Sequence, residues 1–144
     1  MYTVKIMEQE ECLKRWGEIE PCLAKALVHS RGEWTPTEIM REVMRDPTQF
    51  HIWDIKANTG ETVAFGSTRI NRYNRYSSLH VITLANVEGN KALFKDYIGI
   101  VSKVEEKAKE AGLQRMEFTG RKGWLKVLNK VGYNEQYVTM DKEL

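Results

Sequence analysis

Two kinds of side chain in the second half of the chain could transfer protons, a histidine and a pair of tyrosines. His80 lies in an otherwise apolar run, SSLHVITLANV, and an imidazole titrates in the range that a general base needs near neutral pH. Tyr133 and Tyr137 carry phenolic hydroxyls that can donate a proton. Structural roles stay open, because half-buried histidines with a satisfied hydrogen bond and tyrosines packed by their apolar bodies are common. These three residues are the candidate catalytic groups.

A short loop containing one glycine follows that run and reads ANVEGNK. Gly89 permits a tight turn, Asn90 is suited to cap a helix, and Lys91 carries a charge that attracts phosphate. The start of a helix favours an anion because its first backbone N–H groups have no partner within the helix. Glu88, by contrast, places a negative charge in the loop that opposes an anion there.

The stretch RINRYNRYSS is the other conspicuous one. It interleaves three arginines with two tyrosines, namely Arg69, Arg72, Tyr73, Arg75 and Tyr76. Basic and stacking side chains together can bind nucleic acid, an acidic protein or a phosphorylated ligand, and a solvated hairpin is at least as good an interpretation. We expect a turn near residues 71–74 that lets Arg72 and Arg75 project together.

Length and composition describe an ordinary globular chain. The 144 residues allow one domain, 1–144, with 42% hydrophobic and 29% charged side chains. With 22 basic and 20 acidic residues, the net charge of +2 is too even to indicate nucleic acid by itself. The N-terminus MYTVKIMEQEE lacks the pattern of a signal peptide, and no apolar run approaches the length of a membrane span. We therefore expect a cytoplasmic protein.

The chain opens with a strand at residues 2–7 and then a helical pattern. Pro21 interrupts that pattern and is predicted to lie in the first turn of a second helix, where its missing N–H is not needed. Cys12 and Cys22 fall within these helices at a spacing unlike that of a metal site. We interpret them as reduced structural thiols and expect no metal.

A better-marked helix and a hairpin come next. Thr35 is a candidate N-cap and Glu38 completes a capping box, so a helix should begin at Pro36. Strands at residues 49–57 and 61–70 flank NTG, a typical hairpin turn.

The rest of the chain predicts an alternation of strands and helices. The elements are a strand at 77–87, predicted to be central, a helix at 91–111, a strand at 113–120, a helix through Trp124, Val127, Leu128 and Val131, and a final strand at 133–144. The long helix carries an apolar stripe and ends at Gly112. The stripe consists of Phe94, Tyr97, Ile98, Val101, Val104 and Ala108. A right-handed crossover through this helix predicts parallel strands on either side of it.

This order, β-α-α-β-β-β-α-β-α-β, together with the segment GWLKVLNKVGY resembles the GNAT acyltransferases over nearly the whole chain. Members often carry A-x-x-L-Y-E-K-x-G-F there. In this chain Val127 stands at the leucine, Leu128 at the tyrosine, Asn129 at the glutamate, Lys130 at the lysine, Gly132 at the glycine and Tyr133 at the phenylalanine. The resemblance implies one α/β domain with a GNAT-type mixed central sheet flanked by helices.

The resemblance also implies acetyl-CoA as co-substrate. In the family the pyrophosphate lies on backbone N–H groups between the fourth strand and the long helix. The residues implied to contact the co-substrate are Leu84, Ala85, Asn86, Val87, Gly89, Asn90, Lys91 and Asn129. The loop departs from the family's Q/R-x-x-G-x-G/A, because it has a single glycine. We therefore expect weak or absent binding of acetyl-CoA.

The implied chemistry is direct attack of an amine on the thioester. His80 lies on the strand where the family often places a carboxylate that deprotonates the amine through water. Leu128 replaces the tyrosine that protonates the departing thiolate in many members, and it cannot do so.

Two functions stay open. One is an acyl-CoA-dependent N-acyltransferase acting on an amine of a small molecule or a protein. The other is a catalytically silent domain that binds a protein or nucleic acid. GRKGW also resembles phage-encoded GNAT-like proteins, some associated with the virion. The sequence leaves the oligomeric state open, with a homodimer among the candidates.

Overall fold

The computed structural model of the protein describes residues 1–30, 32–90 and 94–144. These residues form a mixed α/β domain, as predicted, with a sheet of five strands where six were expected. The elements are β1 (Tyr2–Ile6), α1 (Gln9–Lys14), α2 (Trp16–Leu27), α3 (Pro36–Arg45), β2 (Phe50–Ala57), β3 (Thr62–Arg72), β4 (Ser77–Asn86), α4 (Phe94–Glu110), β5 (Arg115–Phe118) and α5 (Lys122–Asn129).

The strands lie in the sheet in the order in which they occur in the chain, β1-β2-β3-β4-β5. The first four are antiparallel, and β5 pairs parallel to β4. The crossover predicted through α4 is therefore confirmed. The strand predicted to be central, β4, is an interior strand, but the middle position belongs to β3.

Two apolar layers cover the sheet. On one face, α1, α2 and α3 pack a core that includes Ile19, Leu23 and Ile39 against Ile52 and Phe65 of the sheet. On the other face, α4 packs a second core that includes Tyr97, Ile100, Val104 and Ala108. Successive strand residues point to opposite faces, so one sheet serves both layers.

Local signals in the sequence fix several element ends. Thr35 and Glu38 form the predicted capping box, with each side chain accepting a hydrogen bond from the other residue's backbone N–H. Gly112 and Gly132 adopt positive φ just past α4 and α5. At both ends, an N–H two residues beyond the helix reaches back to a carbonyl of the last turn, which satisfies a group that the helix leaves unpaired.

The helix boundary expected near Pro21 is wrong. The break lies at Arg15, and Pro21 is inside α2. Pro21 removes the N–H that would bond to the carbonyl of Gly17, but both residues are exposed, so water can reach that carbonyl. At this break, Nη1 of Arg15 donates a hydrogen bond to Oδ2 of the buried Asp54 at 2.7 Å. The first half has three helices, the number that its separate patterns predict, whereas the order β-α-α-β-β-β-α-β-α-β counts two.

The predicted final strand is also wrong, since residues 133–144 have no regular secondary structure. Their alternating apolar side chains, Val138 and Met140 among them, are exposed. A period of two stabilises a strand only where a neighbouring strand and a core accept it. The adjacent edge strand, β5, is only four residues long and offers little to pair with.

Candidate functional site

Pairing between β4 and β5 stops partway along β4, where β5 itself ends, and we call this place the fork. Their pairing ends at Val81 opposite Phe118, whereas β4 runs on to Asn86. The register with β3 shifts at this level, so that Ile82 has no opposite residue and forms a β-bulge. A bulge bends and twists its strand, and bulges often lie beside functional sites. The chain therefore leaves the stretch from Ile82 to Asn86 without β5 as a neighbour.

A polar cluster lies on the last paired positions before the fork, with Glu117 at its centre. The Glu117 carboxylate accepts hydrogen bonds from the Ser78 hydroxyl, from the Asn71 amide at 3.1 Å and from the Tyr73 hydroxyl at 3.1 Å. His80 is the direct register partner of Glu117. The strands thus gather a carboxylate, an imidazole and several hydroxyls at the mouth of the fork.

The hydrogen bonds define the protonation of His80. Asn71 Nδ2 can only donate, and it lies 3.3 Å from His80 Nδ1, so Nδ1 accepts. The proton of the neutral ring is then on Nε2, which donates to Thr119 Oγ1 at 2.8 Å. Burial, helped by the positive charge of Arg69, lowers the pKa of His80, although Glu117 opposes the shift. His80 is therefore neutral near pH 7.

Glu117 is held as a carboxylate. Burial acts to raise its pKa, but the hydrogen bonds from Ser78, Asn71 and Tyr73 together outweigh burial and lower it. A half-buried carboxylate of this kind can hold an ammonium group and receive a proton through water.

Aromatic rings line the side of the fork that faces α4 and α5. Trp124 of α5 lies edge-to-face on Tyr97 of α4, with ring centroids 5.5 Å apart, and stacks on Phe118 at 6.4 Å. A small apolar cavity of about 20 Å³ lies beneath, between α4 and the sheet, and includes Val81 and Leu84 in its lining.

Solved structures share this architecture over almost their full length. A predicted acetyltransferase from Clostridium acetobutylicum, solved with acetyl-CoA, has a TM-score of 0.71 at 10% identity, with 99% of this chain and 96% of that chain covered. An aminoglycoside acetyltransferase from an uncultured soil sample has a TM-score of 0.70 at 12% identity, covering 100% and 99%. Glucosamine-6-phosphate N-acetyltransferase from Arabidopsis thaliana has 0.61 at 17%, covering 99% and 98%.

The chain has the GNAT acetyltransferase fold. By sequence it matches no family model and no curated protein.

The residues predicted to bind the co-substrate follow β4 into a tight turn. Leu84 is half-buried and Ala85 buried within the GNAT sheet. The Asn86 side chain accepts a hydrogen bond from the Tyr97 hydroxyl, which ties the end of β4 to the first turn of α4. The backbone carbonyl of Asn86 accepts a hydrogen bond from the thiol of Cys22. Asn86 therefore has a structural role that its position alone did not predict.

The turn itself is compact. The N–H of Val87 bonds to Val63, and the N–H of Asn90 bonds back to Val87 at 3.1 Å, with Gly89 at a φ of +87°. Two of the amides that could face a phosphate are thus already bonded within the protein. Lys91 lies outside the described residues. Asn129 is exposed at the end of α5.

Neither candidate tyrosine is among the hydrogen-bond partners of His80 in the described residues, which are Asn71 and Thr119. The Tyr133 hydroxyl donates to Glu105 of α4, and burial together with this bond raises the pKa of Tyr133. Its ring meets Phe118 at 5.3 Å, so only the ring approaches the fork. Tyr137 is 78% exposed in the C-terminal segment. Leu128, where many GNAT members have tyrosine, is buried.

The arginine-tyrosine hairpin turns later than expected. The N–H of Tyr73 bonds to the carbonyl of Tyr76, which places the turn at residues 73–76 and not at 71–74. The two rings lie 4.8 Å apart, and Arg115 lies over Tyr76 at 4.9 Å. Arg72 and Arg75 are exposed.

Glu117 is the functional candidate that the sequence prediction missed. A signal existed, since a carboxylate within the short strand MEF, between Met116 and Phe118, is unusual in a half-buried element. Its meeting with His80 depends on the parallel register of β4 and β5, which no local pattern encodes.

The described residues contain neither a group suited to a metal ion nor a helix suited to span a membrane. No group of three or more histidine, cysteine, aspartate or glutamate side chains there could hold a metal ion. None of the helices in the same part of the chain is both long enough and apolar enough to cross a membrane.

Proposed function

We propose that the protein is an acyl-CoA-dependent N-acyltransferase that transfers an acetyl group from acetyl-CoA to an amine. The observation that carries this proposal is the fork between β4 and β5 with Glu117 and His80 at its mouth. The stretch of β4 from Ile82 to Asn86 offers backbone groups to the amides of the pantetheine arm, as the family resemblance implies. One structural neighbour was solved with acetyl-CoA, which supports the choice of co-substrate.

The acceptor amine reaches the cluster as an ammonium ion. Glu117 holds it and accepts one proton through water, which leaves a neutral amine. The nitrogen lone pair then forms a bond to the thioester carbonyl carbon, and the C–S bond breaks as CoA leaves as a thiolate. The nitrogen loses its second proton to water as the amide forms, and the thiolate takes up a proton from water to give the CoA thiol. His80 and Thr119 orient the acceptor beside Glu117. Most of the rate enhancement comes from alignment of the two reactants, since this reaction needs no covalent enzyme intermediate.

Binding of acetyl-CoA should be weak. The backbone N–H groups of Val87 and Asn90 are already hydrogen-bonded within the protein, and Glu88 adds a negative charge beside the expected pyrophosphate. We expect thermal stabilisation only at high acetyl-CoA, following mass action for a ligand of the native state.

Release of CoA thiol from acetyl-CoA, measured with a set of amines, tests the activity. Glu117→Gln should lower kcat/KM by about 10²–10⁴-fold, the range for loss of a general base. Glu106→Gln, at an exposed position on α4, is the matched control and should leave the rate unchanged. A Glu117→Gln rate equal to that of the control would remove Glu117 from the mechanism.

A second candidate is a catalytically silent GNAT-like domain that binds a protein or nucleic acid, such as a phage accessory or virion protein. It is favoured by the burial of Leu128 at the position of the usual proton donor and by the compact turn after β4. Calorimetry with acetyl-CoA separates the two. The absence of heat and of a thermal shift at millimolar acetyl-CoA would favour the silent domain.

A further inference from the structure

Four side chains cross the sheet in one row that ends at the proposed catalytic cluster. Phe50 of β2 pairs with Arg69 of β3, Arg69 pairs with His80 of β4, and His80 pairs with Glu117 of β5. Directly paired residues project from the same face of a sheet. This row is on the face covered elsewhere by α1, α2 and α3, and all four residues are half-buried.

Arg69 is unusual among them because of a single buried donor. Its Nε is buried, and no described residue accepts a hydrogen bond from it. The guanidinium carbon lies 5.8 Å from the centre of the Trp34 ring, and Trp34 in turn packs edge-to-face on Phe50 at 6.0 Å. The aromatic pair positions the cation without neutralising it. A buried donor without an acceptor is rare and indicates an unseen water or ligand.

Glu117, the carboxylate of the row, does not accept a hydrogen bond from Arg69 Nε. Glu117 is bonded to Ser78, Asn71 and Tyr73. The neutral imidazole of His80 stands between the two charges. The row therefore presents a cation and a carboxylate on strands β3 and β5, whose backbones are two strand spacings, about 10 Å, apart.

We propose that the acceptor amine also carries an anionic group, a carboxylate or a phosphate, that binds Arg69 while its ammonium group lies at Glu117. This inference rests on the proposed acetyltransferase function and names the class of its acceptor. Arginine suits the role because its planar fork binds carboxylate and phosphate oxygens through parallel hydrogen bonds. The spacing favours an acceptor whose amine and anion are several bonds apart over an α-amino acid.

Kinetics with three amines test the inference in the full-length protein. The amines are 6-aminohexanoate, hexylamine, which lacks the anion, and glycine, in which the two groups are adjacent. We expect 6-aminohexanoate to have the highest kcat/KM. Arg69→Gln should raise its KM by about tenfold or more, the effect of losing a hydrogen-bonded charge pair, and should change kcat/KM for hexylamine by a much smaller factor. Arg72→Gln, an exposed arginine at the end of the same strand, is the matched control.

Arg69→Lys keeps the charge but loses the fork, so its KM for 6-aminohexanoate should fall between those of the wild type and Arg69→Gln. Equal losses with 6-aminohexanoate and hexylamine in Arg69→Gln, or a wild type that prefers hexylamine, would overturn the inference.

Calorimetry with 6-aminohexanoate in the absence of acetyl-CoA separates the two proposals. Binding that is lost in Arg69→Gln and kept in Arg72→Gln supports the anion subsite even if no amine is acetylated, an outcome that would overturn only the enzymatic function. Acetylation of amines with no dependence on Arg69, in either binding or KM, would overturn only the subsite. Equal thermal midpoints of Arg69→Gln and the wild type confirm that the variant is folded.

Discussion

At the scale of single residues, the site depends on how one histidine and one carboxylate share their neighbours. Asn71 donates to both His80 and Glu117, so it fixes the tautomer of the first and stabilises the charge of the second. The parallel pairing of β4 and β5 makes these contacts possible. A protonated His80 would lose its bond from Asn71, because two donors would then face each other.

Acidification should therefore destabilise the protein through this cluster. The pKa of His80 is lowered in the folded state, by burial first and then by Arg69, and burial also lowers the pKa of His51. A group with a lowered folded pKa binds its proton more readily when unfolded, so its contribution is present above the unfolded pKa, about 6.5, and is lost below it. The lowered pKa of Glu117 acts with the same sign at lower pH, from its unfolded value of about 4.3 downward.

Thermal midpoints measured from pH 8 to pH 4 check this expectation. His80→Gln should reduce the loss of stability just below about pH 6.5, and the part of the loss that remains should come from His51. His29→Gln, at an exposed residue, is the control. A His80→Gln profile parallel to that of the wild type throughout would show that His80 is not held neutral by its surroundings.

At the scale of elements, the sequence predicted what local chemistry decides. The capping box at Thr35 and the glycine stop after α4 depend on near neighbours in the chain, and both are confirmed. The alternation of the C-terminal segment was misleading, because a strand needs a partner that the local pattern does not contain. The buried face predicted for α4 was nearly right. Tyr97, Val101, Val104 and Ala108 of the predicted stripe are buried, but Ile98 is only half-buried, and Ile100, which was not predicted, is fully buried.

Trp124 is the element contact whose energy can be measured. It is one of the residues through which the last helix was predicted, and it is half-buried and bridges Tyr97 and Phe118 at the rim of the second core. Trp124→Ala should therefore cost about 2–3 kcal/mol, below the range of about 3–5 kcal/mol expected for a fully buried aromatic. Phe65→Ala, at a ring with no exposure, should fall within that higher range.

Denaturant unfolding of both variants gives the comparison. An unchanged midpoint for Trp124→Ala would show that α5 does not dock on the sheet in solution. A cost as large as that of Phe65→Ala would show that the ring is more enclosed than its contacts with Tyr97 and Phe118 indicate.

At the scale of the whole molecule, the fold alone does not determine the function. The two packed layers and the fork are features of the fold, which hosts differing activities, so the choice between enzyme and binding domain depends on the surfaces that the fold leaves open. Glu117 illustrates why the sequence could predict the fold but only part of the site. Its neighbours Asn71, Tyr73 and His80 lie 46, 44 and 37 positions away in the chain, and only the assembled sheet brings them together.

The hairpin at residues 73–76 provides the test between the two classes. Its tyrosines are already occupied, because Tyr73 bonds to Glu117 and Tyr76 packs under Arg115. Stacking on bases would require them to leave these partners, so we expect no retention of single- or double-stranded DNA or RNA on filters at micromolar protein and low salt.

Retention would support the binding domain. In that case Arg72→Ala with Arg75→Ala should flatten the dependence of affinity on salt by about two phosphate contacts, since each neutralised phosphate releases counterions. The fold should survive the double change, because both arginines are exposed. Retention with an unchanged salt slope in the double variant would place the nucleic acid elsewhere on the protein.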